Sequence, residues 1–365
     1  MMKKRFNYLP FAVLLLTASA NLHAQLHSGP KALQTFSVEG RFIETDSLTA
    51  RLFWPGTQVS AQFTGTELSA QIKDENGRNH YAVIIDDSLL TQLSLKYGTH
   101  DYLLASNLAP GLHRITLHKL TDWFDGASEF IRFIQPDGKL TENVKADKKW
   151  KLEFYGNSIT VGAAMFSQKD SLTWPGSSTH NYFSYGSVAA RKLNAAARFI
   201  ASSGIGLMVS WGNLIMPEIF DLANPADSSS KWNFYQYQPD VVIVNLMQND
   251  QALINQEKHP QFLRRFGKQR PSPDTIISRY TNFISKLRTY YPNAYILCCL
   301  GSMSAVRPGS PFPDYIRKAV SLLNDKNIST YFFKPIKGNE HPNKEEHQQM
   351  ANELIEVLTP ILKQM

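Results

Sequence analysis

At Trp150 the sequence changes rhythm, and no other feature constrains the fold as much. Ahead of it, over residues 33–140, short alternating segments end in turn residues. Segment 48–54 stops at Pro55-Gly56, 59–63 at Gly65, 68–72 at Asp74-Glu75-Asn76-Gly77, and 81–85 at Asp86-Asp87. Segment 113–117 follows Pro110-Gly111. Period-two alternation at this spacing, with no long amphipathic helix, predicts an all-β sandwich. Residues 135–149 are polar and charged around Pro136-Asp137-Gly138 and read as a linker. Beyond it strands are expected over 151–155, 197–202, 241–246, 295–300 and 330–333. Helices are expected over 185–194, 274–290, 314–323 and 344–362. The run Val241-Val242-Ile243-Val244 is apolar on both faces, as in a strand of a covered parallel sheet. Strand and helix in alternation predict a doubly wound α/β domain over 150–365.

The first 24 residues stand apart. Lys3, Lys4 and Arg5 precede an apolar run from Phe11 to Leu16, then small residues ending at Ala20 or Ala24. That is the build of a secretory signal peptide, which implies a secreted or periplasmic protein. The run is shorter than the about 18 apolar residues that a membrane span needs. Of the formal charge of +7, three units come from this segment, and the remaining Lys and Arg are scattered. The densest cluster, Arg264-Arg265-Phe266-Gly267-Lys268-Gln269-Arg270, reads as a solvated surface loop, so no nucleic-acid partner is expected. Cys298 and Cys299 are adjacent in an apolar strand and read as small core residues, since neighbouring cysteines rarely meet disulfide geometry. The sequence holds no HExxH and no spaced Cys/His set, so no metal or cofactor is expected.

Ligands in doubly wound sheets sit beyond the carboxyl ends of the strands. Four polar positions fall there. Ser158, in Tyr155-Gly156-Asn157-Ser158, stands where a strand turns into a helix. It can cap that helix, or act as a nucleophile given a base. Gly204 and Gly206, in Ser203-Gly204-Ile205-Gly206, are turn glycines or offer a backbone N–H to an oxyanion, Gly204 being the first choice. Asn249 forms an Asx turn or donates its amide to the same oxyanion, and Asp250 beside it reads as a loop anchor. His341, in Asn339-Glu340-His341-Pro342, is the candidate base. His347 is expected on the surface of the last helix. Trp174, Trp211 and Trp232 either stack on sugar faces or pack in the core.

These segments resemble the four blocks of the SGNH hydrolases, also called GDSL-like esterases, which carry Ser, Gly, Asn and His in this order. Gly156-Asn157-Ser158-Ile159-Thr160 is similar to the first block, with Asn157 where Asp is usual. Asn245-Leu246-Met247-Gln248-Asn249-Asp250 is similar to the third, with Met247-Gln248 in place of the common Gly-Thr. Trp54-Pro55-Gly56, Phe63-Thr64-Gly65-Thr66 and His180-Asn181-Tyr182-Phe183-Ser184-Tyr185-Gly186 further resemble the family 2 carbohydrate esterases. That resemblance implies a jelly-roll-like N-terminal domain and O-deacetylation of plant-wall polysaccharides such as xylan or mannan. It also implies an acyl-enzyme on Ser158, with His341 as base and Ser158, Gly204 and Asn249 as oxyanion donors. The acid usual two or three residues before the histidine is missing: Gly338 and Asn339 stand there. Asn339 can orient the ring without stabilising its charge, Glu340 is adjacent, and the resemblance also allows a Ser–His dyad. Two other readings stay open. One is an SGNH esterase acting on a lipid, a thioester or a bacterial-wall glycan. The other is a carbohydrate-binding protein whose active site has decayed.

Overall fold

The computed structural model describes residues 36–46, 49–141, 147–166, 178–337 and 341–365. The candidate signal peptide lies outside the described residues, as do Trp174, Asn339 and Glu340.

Among the described residues eleven strands precede residue 141: β1 (Ser37–Glu39), β2 (Phe42–Asp46), β3 (Thr49–Leu52), β4 (Gln58–Thr64), β5 (Leu68–Asp74), β6 (His80–Ile85), β7 (Ser88–Ser94), β8 (Gly98–Ala105), β9 (Leu112–Lys119), β10 (Ser128–Ile134) and β11 (Lys139–Leu140). They form two antiparallel sheets, ordered β1-β4-β9-β6-β7 and β2-β3-β10-β5-β8, in a jelly-roll-like sandwich. The alternation in β4 sets its inner face: Val59, Ala61 and Phe63 are buried, and the residues between them are not. They share a core with Ile115 and Leu117 of the same sheet and with Leu68, Ala70, Ile72 and Phe130 of the other. The stretch expected as a linker contributes a strand, because Lys139 and Leu140 pair with Thr64 and Phe63.

From Trp150 the chain builds a five-stranded parallel sheet. Its strands are β12 (Trp150–Gly156), β13 (Ala195–Ala201), β14 (Val241–Asn245), β15 (Tyr295–Leu300) and β16 (Ile328–Phe332), in the order β13-β12-β14-β15-β16. Among the described residues eight α-helices accompany them: α1 (Ser158–Val161), α2 (Tyr185–Lys192), α3 (Met216–Ile219), α4 (Gln248–Ile254), α5 (Pro260–Phe266), α6 (Pro273–Tyr290), α7 (Phe312–Leu323) and α8 (Lys344–Lys363). Both sheet faces are covered. Val241, Ile243, Leu297 and Cys299 share a cluster with α2 and α8. Val242, Val244, Ile296 and Cys298 share another with α6 and α7. This explains the unbroken apolar runs of β14 and β15, and it sends the two free, buried cysteines to opposite faces. The strand order reverses beside β12, where a doubly wound sheet opens its crevice.

The sandwich and the parallel sheet pack into one compact unit. Arg41, wholly inside, reaches across from the sandwich. It donates to Glu153 Oε1 at 2.7 Å, to the Tyr155 hydroxyl at 2.8 Å and to the Phe220 carbonyl at 2.6 Å. Tyr291 donates its hydroxyl to the other oxygen of Glu153. A buried charge pair of this kind needs such extra hydrogen bonds to repay its desolvation.

Candidate active site

Ser158 opens α1 directly after β12. Asn157 caps that helix, its Oδ1 accepting the Ile159 N–H at 3.1 Å. As the first residue of a helix, Ser158 has an N–H with no partner within the helix. No other described residue takes it up. Ser158 Oγ lies 2.7 Å from His341 Nε2, and its hydroxyl donates there when the neutral ring carries its proton on Nδ1. His341 is positioned by a capping box two residues on. Asn343 accepts the Glu346 N–H, and Glu346 accepts the Asn343 N–H, each at 2.9 Å. Burial pushes the His341 ring below its ordinary range, favouring the neutral form that a base needs. Among the described residues no carboxylate bonds to this ring.

Gly204 follows β13 with φ +75°, a conformation that other residues adopt only under strain, and no described residue accepts its N–H. Gly206 is excluded as a donor, because its N–H is spent on Ser210 Oγ at 2.9 Å. A Cβ there would lie 2.0 Å from the Val209 carbonyl oxygen, so its role is close packing. Asp250 is the anchor of this loop. It is fully buried and accepts the N–H groups of Leu207, Met208 and Val209 at 2.9, 2.6 and 3.1 Å. Burial pushes its carboxyl up, and the three N–H groups pull it back down.

Asn249 has its amide orientation set from both ends. The Trp211 indole donates to Oδ1 at 3.0 Å, and Nδ2 donates to the Ile205 carbonyl at 2.7 Å. An indole N–H can only donate and a carbonyl can only accept, so the amide cannot be flipped. One Nδ2 hydrogen is left for a ligand. The indole of Trp211 is 47% exposed beside Gly204, so its surface is open to a ligand.

Of the two alternatives for Trp232 the structure has the core one: it is buried, with the Arg41 and Arg198 guanidinium groups at 5.5 and 5.1 Å from its ring centre. Two expectations are corrected. His347 is not on the surface. It is buried against Tyr185, whose N–H it accepts on Nδ1 at 3.2 Å, and burial pushes it down to about 3, with the nearby His341 adding to the effect. The basic cluster is not a loop at its start: Arg264 and Arg265 lie on α5, bonding to Asn213 and Glu218.

The two departures from the common blocks meet in space. Asn157 Nδ2 donates to Gln248 Oε1 at 2.6 Å, and Gln248 Nε2 donates to Asn245 Oδ1 at 2.7 Å and to the Gly301 carbonyl at 2.6 Å. A network of side-chain amides thus adjoins Ser158. Met247 holds φ 90° where glycine is common, a strain of about 1–3 kcal/mol. Chemically the arrangement brings together a hydroxyl, an imidazole whose burial favours the neutral form, and three N–H donors, a set that suits acyl transfer.

Residues 38–143 match the carbohydrate esterase 2 N-terminal family. The cellulase/esterase CelE of Acetivibrio thermocellus is 32% identical over 326 residues. The match takes in 86% of this chain, which spans only 38% of the length of that protein. An acetylxylan esterase / glucomannan deacetylase of Cellvibrio japonicus is 24% identical, over 97% of this chain and 98% of its own length. A solved structure of a family two carbohydrate esterase from Clostridium thermocellum, in complex with cellohexaose, superposes with a TM-score of 0.78. It is 29% identical and covers 90% of this chain and 100% of that one.

Proposed function

We propose that this chain, an SGNH-type hydrolase that resembles the family 2 carbohydrate esterases, is a secreted serine esterase that removes O-acetyl groups from plant-wall polysaccharides. The observation that carries the reading is the 2.7 Å contact between Ser158 Oγ and His341 Nε2. The substrate class rests on the relatives, which are named for acetylxylan and glucomannan. Secretion rests on the N-terminal charge and apolar pattern.

Ser158 Oγ attacks the acetyl carbonyl carbon as its proton passes to His341 Nε2. The oxyanion is held by the Ser158 and Gly204 N–H groups and the remaining Asn249 Nδ2 hydrogen. Collapse breaks the bond to the sugar oxygen, which leaves as the hydroxyl with the proton from His341. Water then attacks the acetyl-serine, with His341 again as base. Acetate leaves, and the proton returns to Ser158.

Removing one oxyanion donor costs about 10²–10³-fold in kcat. Asn249→Ala is therefore expected to lower kcat on nitrophenyl acetate by that order with KM little changed. A normal kcat in steady-state assays would remove Asn249 from the oxyanion hole. The substrate class is tested by acetate release from acetylated xylan and acetylated glucomannan, beside hydrolysis of long-chain nitrophenyl esters. Acetylated polysaccharides are expected to be preferred. A preference for long acyl chains would overturn the sugar reading, and glycan binding without turnover would favour a binding protein.

A further inference from the structure

We propose that the sandwich positions the catalytic machinery through one segment, His118–Trp123, which grips the nucleophile's helix at one end and the oxyanion loop at the other. The inference rests on the serine-esterase reading and assigns positioning roles to His118, Asn181 and Asp122.

The first grip runs through Asn181. Its Nδ2 donates to the Thr160 and Val161 carbonyls at 3.1 and 3.3 Å, capping the far end of the short helix that Ser158 opens. Its Oδ1 accepts from the Ser187 hydroxyl at 2.9 Å and from His118 Nε2 at 3.0 Å. Burial pushes His118 down to about 3, which favours the neutral ring, and its bond to an amide oxygen requires the proton on Nε2. The Asn181 N–H donates back to the Leu120 carbonyl at 3.1 Å. The side chains of His118 and Asn181 therefore act as a rod from β9 to α1.

The second grip is Asp122. Its Oδ2 accepts the Ser203 N–H at 2.6 Å, one residue before Gly204. Its Oδ1 accepts the Trp123 N–H at 2.7 Å, and the Trp123 indole donates to Ser202 Oγ at 2.8 Å. Orienting the Ser203 peptide orients the chain that carries the Gly204 N–H. The segment itself is tied down from the sandwich. Lys119 Nζ donates to the Thr121 carbonyl and hydroxyl and to the Asp122 carbonyl at 3.2, 3.1 and 3.1 Å, and Thr121 Oγ1 donates to Asn79 Oδ1 at 2.6 Å.

Mere adhesion between two folded parts would be served by apolar packing, whereas a buried polar group costs stability unless matched. Here His118, Lys119, Thr121, Asp122 and Asn181 are all buried, and both grips end on backbone adjoining catalytic groups. Specific hydrogen bonds fix position where apolar contact would allow sliding.

The test uses the full chain. His118→Ala and Asp122→Ala are each expected to lower kcat on nitrophenyl acetate on the order of tenfold to a hundredfold, with KM within about twofold, because small misplacements of reacting groups are costly. His118→Gln, which can present an amide N–H near the Nε2 position, should recover most of the loss. The sandwich-core variants Ile72→Val and Phe133→Leu report what lost stability alone does to turnover. Amide exchange should rise at 159–162 in His118→Ala and at 203–209 in Asp122→Ala. Kinetic losses no larger than in the core variants at equal loss of Tm, with no local rise in exchange, would overturn the proposal. If His118→Ala fails to fold, His118→Leu, which fills the space but has no N–H for Asn181, carries the same comparison, and Asp122→Asn, which keeps one acceptor oxygen where two are used, does so for Asp122→Ala. An inactive wild type, or a Ser158→Ala variant that keeps activity, would sink the esterase reading instead, and the exchange measurement would still decide the brace.

Discussion

Ser158→Ala is expected to abolish acetate release from acetylated xylan, with kcat falling on the order of 10⁵-fold or more, because loss of the nucleophile removes the whole covalent route. The fold should survive. Ser158 is 6% exposed, its hydroxyl bonds only to His341 among the described residues, and the helix cap belongs to Asn157. Substrate binding should therefore persist while turnover disappears, which separates this change from one that unfolds the site. Acetate release near the wild-type rate would remove Ser158 from the chemistry and return it to a plain helix start.

His341→Ala is expected to cost on the order of 10⁴-fold or more in kcat, since an unassisted serine hydroxyl is a poor nucleophile. The pH profile of the wild type is the sharper measurement. His341 must be neutral to accept the Ser158 proton, so kcat/KM rises with pH through the pKa of the ring and then levels off. Burial lowers that pKa from its ordinary value of 6.5. The midpoint of the acid limb is thus expected below 6.5. An ionised carboxylate on Nδ1 would shift the limb the other way, because it stabilises the imidazolium. A midpoint above about 7 would reveal such a partner and overturn the dyad. His347, buried and held neutral beside it, adds no second positive charge when His341 takes the proton.

Three members of the site were legible because each follows an apolar strand. Ser158 after β12, Gly204 after β13 and Asn249 after β14 are set by local rhythm and residue type. The departures at Asn157 and Gln248 were visible singly, but their mutual hydrogen bond spans 91 positions. Trp211 and Trp232 look alike as residues. One is half open beside Gly204 and the other is enclosed by two guanidinium groups, and only packing distinguishes them. His347 sits in a helix whose polar residues suggest a wet face, yet α2 covers it through Tyr185. His118, Asn181 and Asp122 gave no signal of their role, because their partners lie on other elements.

The sequence by itself determined the succession of sandwich and parallel α/β sheet, the covered faces of β14 and β15, and the order in which the polar groups reach the sheet edge. Periodicity encodes which side of an element is buried, and turn residues encode where it stops. Only the tertiary structure decided that Ser158 and His341, 183 positions apart, meet at 2.7 Å. It alone brought the sandwich against the loop that carries Gly204. A burial pattern says that a face must be covered, but which surface covers it depends on packing that distant segments settle together.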